Sequence, residues 1–131
     1  MTLLNRDVDY AVRALVYMVK ANKPTVSVTG MHGAVGVTRP FLRKILQKLH
    51  KAGILQAVKG KGGGFALARR PETITLRQLT DTLQGPLKLN DCFFRKKLCH
   101  DHASCPLRHR VAALEKRLTA DIEAITLRDL L

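Results

Sequence analysis

Apolar residues recur at helical spacing along most of the chain, and the recurrence breaks at a few defined places. Val8, Ala11, Val12, Leu15 and Val19 fall on one helical face, which predicts a first helix over Asp7–Lys20. Asp7 and Asp9 sit where a helix N-terminus favours negative charge, and Asn22-Lys23-Pro24 ends the pattern. A short second helix is expected over Ser27–Val35, weakened by Gly30 and Gly33, each of which costs ~1 kcal/mol against alanine in a helix interior. Gly36 suits a tight turn. A third helix then runs to Lys51, with Thr38 as its N-cap and Pro40 in its first turn. It buries Leu42, Ile45, Leu46 and Leu49 and turns Arg39, Arg43, Lys44, Gln47 and Lys48 outward. Gly53 lies close to where its C-terminal cap belongs.

Beyond Gly53 the pattern shortens. Ile54–Val58 and Phe65–Ala68 read as two short strands, and Gly60, Gly62, Gly63 and Gly64 let the connection turn tightly and approach a partner closely. Pro71 ends this unit. Thr75 caps a further helix over Thr75–Gln84, closed by Gly85-Pro86. Residues 87–105 read as a loop. From Pro106 a long helix carries Leu107, Val111, Leu114, Leu118, Ile122 and Ile125 in a single stripe with charged flanks. Such a stripe needs a covering surface, and a symmetric homodimer supplies one most simply. ITLRQL (Ile74–Leu79) recurs as ITLRDL (Ile125–Leu130), which reads as two similar capped helix starts. The expected fold is mainly α with a small β-hairpin. It divides into a winged helix-turn-helix unit over residues 1–85, a cysteine-bearing loop over 86–105, and a dimerisation helix with a C-terminal segment over 106–131.

Charge changes the picture from fold to ligand. The chain of 131 residues is 46% hydrophobic, enough to build a core, yet its net charge is +13. Residues 10–71 hold twelve Lys and Arg and no acidic residue, whereas residues 72–131 hold ten basic and eight acidic ones. A basic surface without internal counter-charge repels itself until an anion neutralises it, and the simplest anion here is the backbone of double-stranded DNA. The major groove admits one helix, whose N-terminal side chains reach base edges. Those side chains are Thr38, Arg39, Pro40 and Arg43; Lys44 and Lys48 are placed for phosphates, and Lys59 and Lys61 would lie along the backbone or in the minor groove. The plainer alternative is a solvated basic helix beside a glycine turn. The glycine run lacks the G-K-[ST] ending of a nucleotide-cradling loop. There are no paired carboxylates and no nucleophile–base arrangement, so no enzyme is expected. No run of ~18 apolar residues exists for a membrane span, and MTLLNRDVDY has no apolar signal core, so a cytoplasmic protein is expected.

The segment NDCFFRKKLCHDHASCPLRHR places Cys92, Cys99 and Cys105 in a C-x6-C-x5-C spacing. Three thiolates this close can reach one small centre, but the gaps are too wide for the C-x2-C knuckle of a structural zinc site. Iron–sulfur clusters are held by thiolates and tolerate a non-cysteine ligand, and Arg95, Lys96, Lys97 and Arg108 would offset a cluster's negative charge. An odd cysteine count without a secretory context argues against a disulfide framework. A thiol switch between Cys99 and Cys105, a zinc site completed by His100, His102 or His109, a small redox protein, and three unrelated thiols remain open.

DYAVRAL (Asp9–Leu15), RPFLRKILQKLHKAGIL (Arg39–Leu55), KGKGGGFALAR (Lys59–Arg69), the three cysteines and the closing ITLRDLL together resemble the Rrf2 family of winged-helix transcription regulators over essentially the whole length. In cluster-binding members the three cysteines ligate a [2Fe–2S] or [4Fe–4S] cluster and the proteins are homodimers. The resemblance implies that Cys92, Cys99 and Cys105 are ligands. One member takes its fourth ligand from a histidine three residues after the last cysteine. Here that position is Arg108, with His109 next, so that pattern is broken. In the family's nitric-oxide sensor the fourth ligand is an aspartate of the first helix of the other subunit, and the matching residue is Asp9. The plainer alternative for Asp9 is a helix-start carboxylate. The expectation is a dimeric repressor whose DNA affinity responds, through its cluster, to nitric oxide, redox state or iron.

Overall fold

In the computed structural model, which describes residues 3–89 and 105–131, the chain enters its first helix through Asn5. The Asn5 side-chain oxygen accepts the Val8 amide at 3.0 Å, so helix α1 (Arg6–Ala21) starts one residue earlier than the acidic pair suggests. Asn22 closes α1 in the left-handed region at φ 50°. Helix α2 (Val28–Val35) forms despite its two interior glycines, because Ser27 accepts the Gly30 amide at 3.0 Å and Val28, Met31 and Val35 are buried. Gly36 ends it and passes the chain to Thr38, the N-cap residue of α3 (Arg39–Lys51). The Thr38 hydroxyl makes no capping bond; Pro40 in the first turn removes one amide that would otherwise need a partner.

Leu42, Ile45, Leu46 and Leu49 seat α3 in the core, each burial contributing about 1.5–3 kcal/mol. The hairpin follows at once. Strand β1 (Leu55–Val58) pairs antiparallel with β2 (Gly64–Leu67), with Leu55 opposite Leu67 and Val58 opposite Gly64. Ile54 falls outside β1 because its amide closes the end of α3 on the Leu49 carbonyl at 3.0 Å. Phe65 and Val26 exchange two backbone hydrogen bonds of 2.9 Å, which ties the hairpin to the segment entering α2.

Pro71–Thr73 forms a short 3-10 turn before α4 (Leu76–Leu83), where Thr75 and Gln78 make a reciprocal capping box. Helix α5 (Pro106–Ala124) leads to a second 3-10 turn, Leu127–Leu130, opened by the same device between Thr126 and Asp129. The two ITLR segments meet. The Leu76 amide donates to Ile125 O at 2.9 Å and the Leu127 amide donates to Ile74 O at 2.8 Å. Ile74 and Leu127 are both buried there, and Arg128 reaches Glu72 at 2.9 Å. Glu72 is held below the usual carboxylate range first by a hydrogen bond to its own backbone and then by Arg128.

A single hydrophobic core therefore runs from α1 through the hairpin and α4 to Ile122 and Leu127. The other end of α5 is different: Leu107 is 66% and Leu114 53% exposed. Among the described residues no helix is long and apolar enough to cross a membrane.

Candidate nucleic-acid interface

Seating α3 by one face dictates what it offers on the other. Arg39, Pro40, Arg43, Lys44 and Gln47 are exposed, as is Thr38 just before them, and Lys48 is half-buried. Lys59 and Lys61 stand exposed at the hairpin turn. The helix and the hairpin share one concave surface: a cleft of about 280 Å³ is lined by Arg43, Gln47, Val58 and Gly64, with Ser27 and Thr29 from the start of α2.

Two glycines make this closeness possible. A Cβ on Gly64 would fall within 3.0 Å of the Val26 carbonyl, and one on Gly63 within 3.0 Å of the Val58 and Gly60 carbonyls. Gly64 also lies at φ 154°. Gly64 thus lets the hairpin lie against the segment entering α2, and Gly63 lets the hairpin turn close on its own backbone; neither position admits a side chain. Tyr10 packs edge-on to Phe41 with centroids 5.8 Å apart, bracing the first turn of α3 against α1. Sequence periodicity does not single out this pair.

The electrostatics follow from what is absent nearby. The ion pairs among the described residues are Asp9–Arg13, Asp81–Arg77, Glu123–Arg77 and Glu72–Arg128. None engages Arg39, Arg43, Lys44, Lys48, Lys59 or Lys61. Their positive field is left for an external polyanion.

The sulfur side of the expectation is only partly on view. Cys105 is a free, half-buried thiol at the N-cap position of α5. Cys92 and Cys99, with His100 and His102, lie outside the described residues. Asp9 projects from the first turns of α1, exposed, its carboxylate 3.1 Å from Arg13. It stands at the rim of a cleft of about 690 Å³ whose walls include Leu4, Val8, Val12, Leu76 and Leu130. Among the described residues no three metal-ligating side chains come together.

A short helix, a left-handed turn, a basic second helix and a glycine-tipped hairpin define a winged helix-turn-helix protein. The chain belongs to the Rrf2 family, described as iron-dependent transcriptional regulators, whose sequence pattern matches residues 4–131. It is a DNA-binding transcriptional regulator of that family. A protein of Aquifex aeolicus named as an HTH-type transcriptional regulator is 29% identical over 126 residues, covering 95% of this chain and 88% of that one. One of Rhodobacter capsulatus named as Rrf2-like is 25% identical, covering 98% and 92%. In fold the chain is similar to CymR, the global cysteine regulator of B. subtilis, with a TM-score of 0.80, 18% identity and 99% and 96% of the two chains covered. It is similar also to T. potens IscR, with a TM-score of 0.74, 23% identity and 97% and 84% covered.

Proposed function

We propose that this regulator is a homodimeric repressor whose grip on DNA is set by an iron–sulfur cluster bound at its cysteine segment. The observation that carries the reading is the division of labour along the chain. Seven cations on α3 and the hairpin have no ionic partner among the described residues, and three cysteines follow in a separate segment. Cys92, Cys99 and Cys105 would hold the cluster through sulfur, and Asp9 of a second copy would complete it through oxygen. The donors on view fit that use. Cys105 is unpaired, and the exposed Asp9–Arg13 pair is worth only about 0–1 kcal/mol, so little holds the carboxylate back. A bound cluster supplies reactivity toward nitric oxide, oxygen and iron supply, with an oxygen ligand as its labile point.

The chain's own residues supply the rest. Leu107 and Leu114 are the uncovered part of the α5 stripe and suit the same stripe of a second copy. Anchoring residues 88–105 against α1 of that copy fixes the separation of the two α3 helices. Two half-sites about 34 Å apart are then bound together. Protein purified without oxygen should be brown, with matched iron and sulfide, and its affinity for promoter duplexes should change on nitric oxide titration. If replacing all three cysteines with alanine leaves both binding and response as they were, the reading is wrong.

A second reading has one observation in its favour: a structurally similar regulator, CymR of Staphylococcus aureus, has been solved in an oxidised form. A thiol switch using Cys99 and Cys105 would give a protein that stays iron-free after reconstitution and binds DNA only when reduced.

A further inference from the structure

Every charged side chain on the exposed face of α3 is a cation, and a cation can only donate hydrogen bonds. Arg39, Arg43, Lys44 and Lys51 can therefore bind phosphates or the acceptor edge of guanine, but none can match an edge that presents a donor and an acceptor together. Pro40 and Phe41 have no polar side-chain atom. His50 directs Nδ1 at the Leu55 carbonyl, 3.0 Å away. Gln47 remains. Its amide carries both functions, it is exposed, and it makes no side-chain hydrogen bond among the described residues. At helical spacing it lies with Pro40 and Lys44 at the centre of the face opposite Leu42, Ile45, Leu46 and Leu49. It lines the same cleft as Arg43, between α3 and the hairpin.

We propose that Gln47 reads adenine in the major groove and supplies the discrimination that the surrounding cations cannot. Adenine presents an N7 acceptor beside an N6 donor, which a glutamine amide pairs with through two hydrogen bonds. The proposal rests on α3 being the groove-binding helix. Arg43 and Gln47 are one turn apart, about 6 Å along the axis, so the adenine should lie within about two base-pair steps of a guanine bound by Arg43.

The test is selection from a pool of random 30-base-pair duplexes by the full chain, in its as-isolated and iron-free forms, followed by affinity measurements on selected duplexes. The native protein should enrich one adenine per half-site, with discrimination at that position on the order of 5- to 150-fold. Gln47→Ala should remove that preference alone and leave the salt dependence unchanged. Gln47→Glu should move it toward cytosine, whose N4 donates to a carboxylate. Both variants should melt with the native protein, since the position is exposed. Native selectivity retained in Gln47→Ala, or a uniform loss across all duplexes, would overturn the assignment while leaving DNA binding intact. Failure of the native protein to bind any duplex at low salt would overturn the groove-helix reading along with it.

Discussion

Replacing Lys59 and Lys61 with glutamine should flatten the salt dependence of DNA binding by a predictable amount. Both lysines are exposed at the hairpin turn, and no ion pair among the described residues uses either. Neutralising a phosphate releases condensed counterions and adds about 0.9 to the slope of log affinity against log salt. One copy of the chain thus loses about 1.8 from the slope in the double variant, and a pair of copies about 3.6. Between about 50 and about 200 mM salt, affinity should therefore fall less steeply than in the native protein, by about 12-fold for one copy on the DNA and about 150-fold for two.

Fluorescence anisotropy of a labelled duplex across that range reads the slope directly. Any duplex serves, because the phosphate contribution is independent of sequence. The hairpin should survive, since substitutions at exposed positions stay within about 0.5 kcal/mol, and a melting curve checks it. Lys116→Gln on α5 is the control and should leave the slope near its native value. A double variant that folds and keeps the native slope to within about 0.5 would mean that the hairpin is not on the phosphates, and the wing assignment would fall.

Glycine positions provide a second, opposed pair of expectations. Gly64→Ala forces a Cβ against the Val26 carbonyl at a strained φ and should destabilise by about 2–4 kcal/mol in denaturant unfolding, whereas Gly33→Ala, with open space around it inside α2, should stabilise by about 0.5–1 kcal/mol. Leu127→Ala removes a side chain that is 1% exposed and should cost about 2–5 kcal/mol; equal stability of variant and parent would show that the second ITLR segment is not seated in the core. Glu72 has a lowered folded pKa, so its contribution is full above the unfolded carboxylate pKa and is lost as pH falls through the folded value. An NMR titration should show Glu72 ionising below ordinary glutamates, and Arg128→Ala should raise its midpoint.

The helix boundaries were legible because their caps are local. Ser27, Thr38 and Thr75 stand at the predicted starts, and Gly36 at the predicted turn. Asn5 was hidden by the more conspicuous acids after it, although its side chain sets where α1 begins. The first strand begins one residue later than expected because the Ile54 amide is committed to the end of α3, and the second runs Gly64–Leu67 rather than Phe65–Ala68 because Gly64 pairs with Val58. The ITLR recurrence was visible as two helix starts, but their mutual pairing was not. It joins segments 51 positions apart, beyond the reach of any periodicity argument. In the interface, exposure of the basic side chains follows from the apolar period of α3. The cleft between Arg43 and Val58 depends instead on how closely Gly64 lets the hairpin approach the start of α2 and on how tightly Gly63 lets its turn close.

These packing facts bear on where control of DNA affinity can act. Within one copy, α3 is fixed by four side chains exposed by 2% or less and by the Tyr10–Phe41 contact. Tilting it would open voids at a cost of about 2–5 kcal/mol for each large side chain unseated. Among the described residues, helix α5 enters the same core near its C-terminal end through Ile122, and Leu127 is buried just beyond the helix. Its other end begins at Cys105, 19 residues and about 28 Å away, with Leu107 and Leu114 uncovered. In a homodimer of the kind proposed, distorting the helix-turn-helix would carry this packing cost, whereas repositioning one copy against the other would leave the seating of α3 intact. On the proposed reading, the sensed signal alters the spacing between two intact α3 helices rather than the shape of either one.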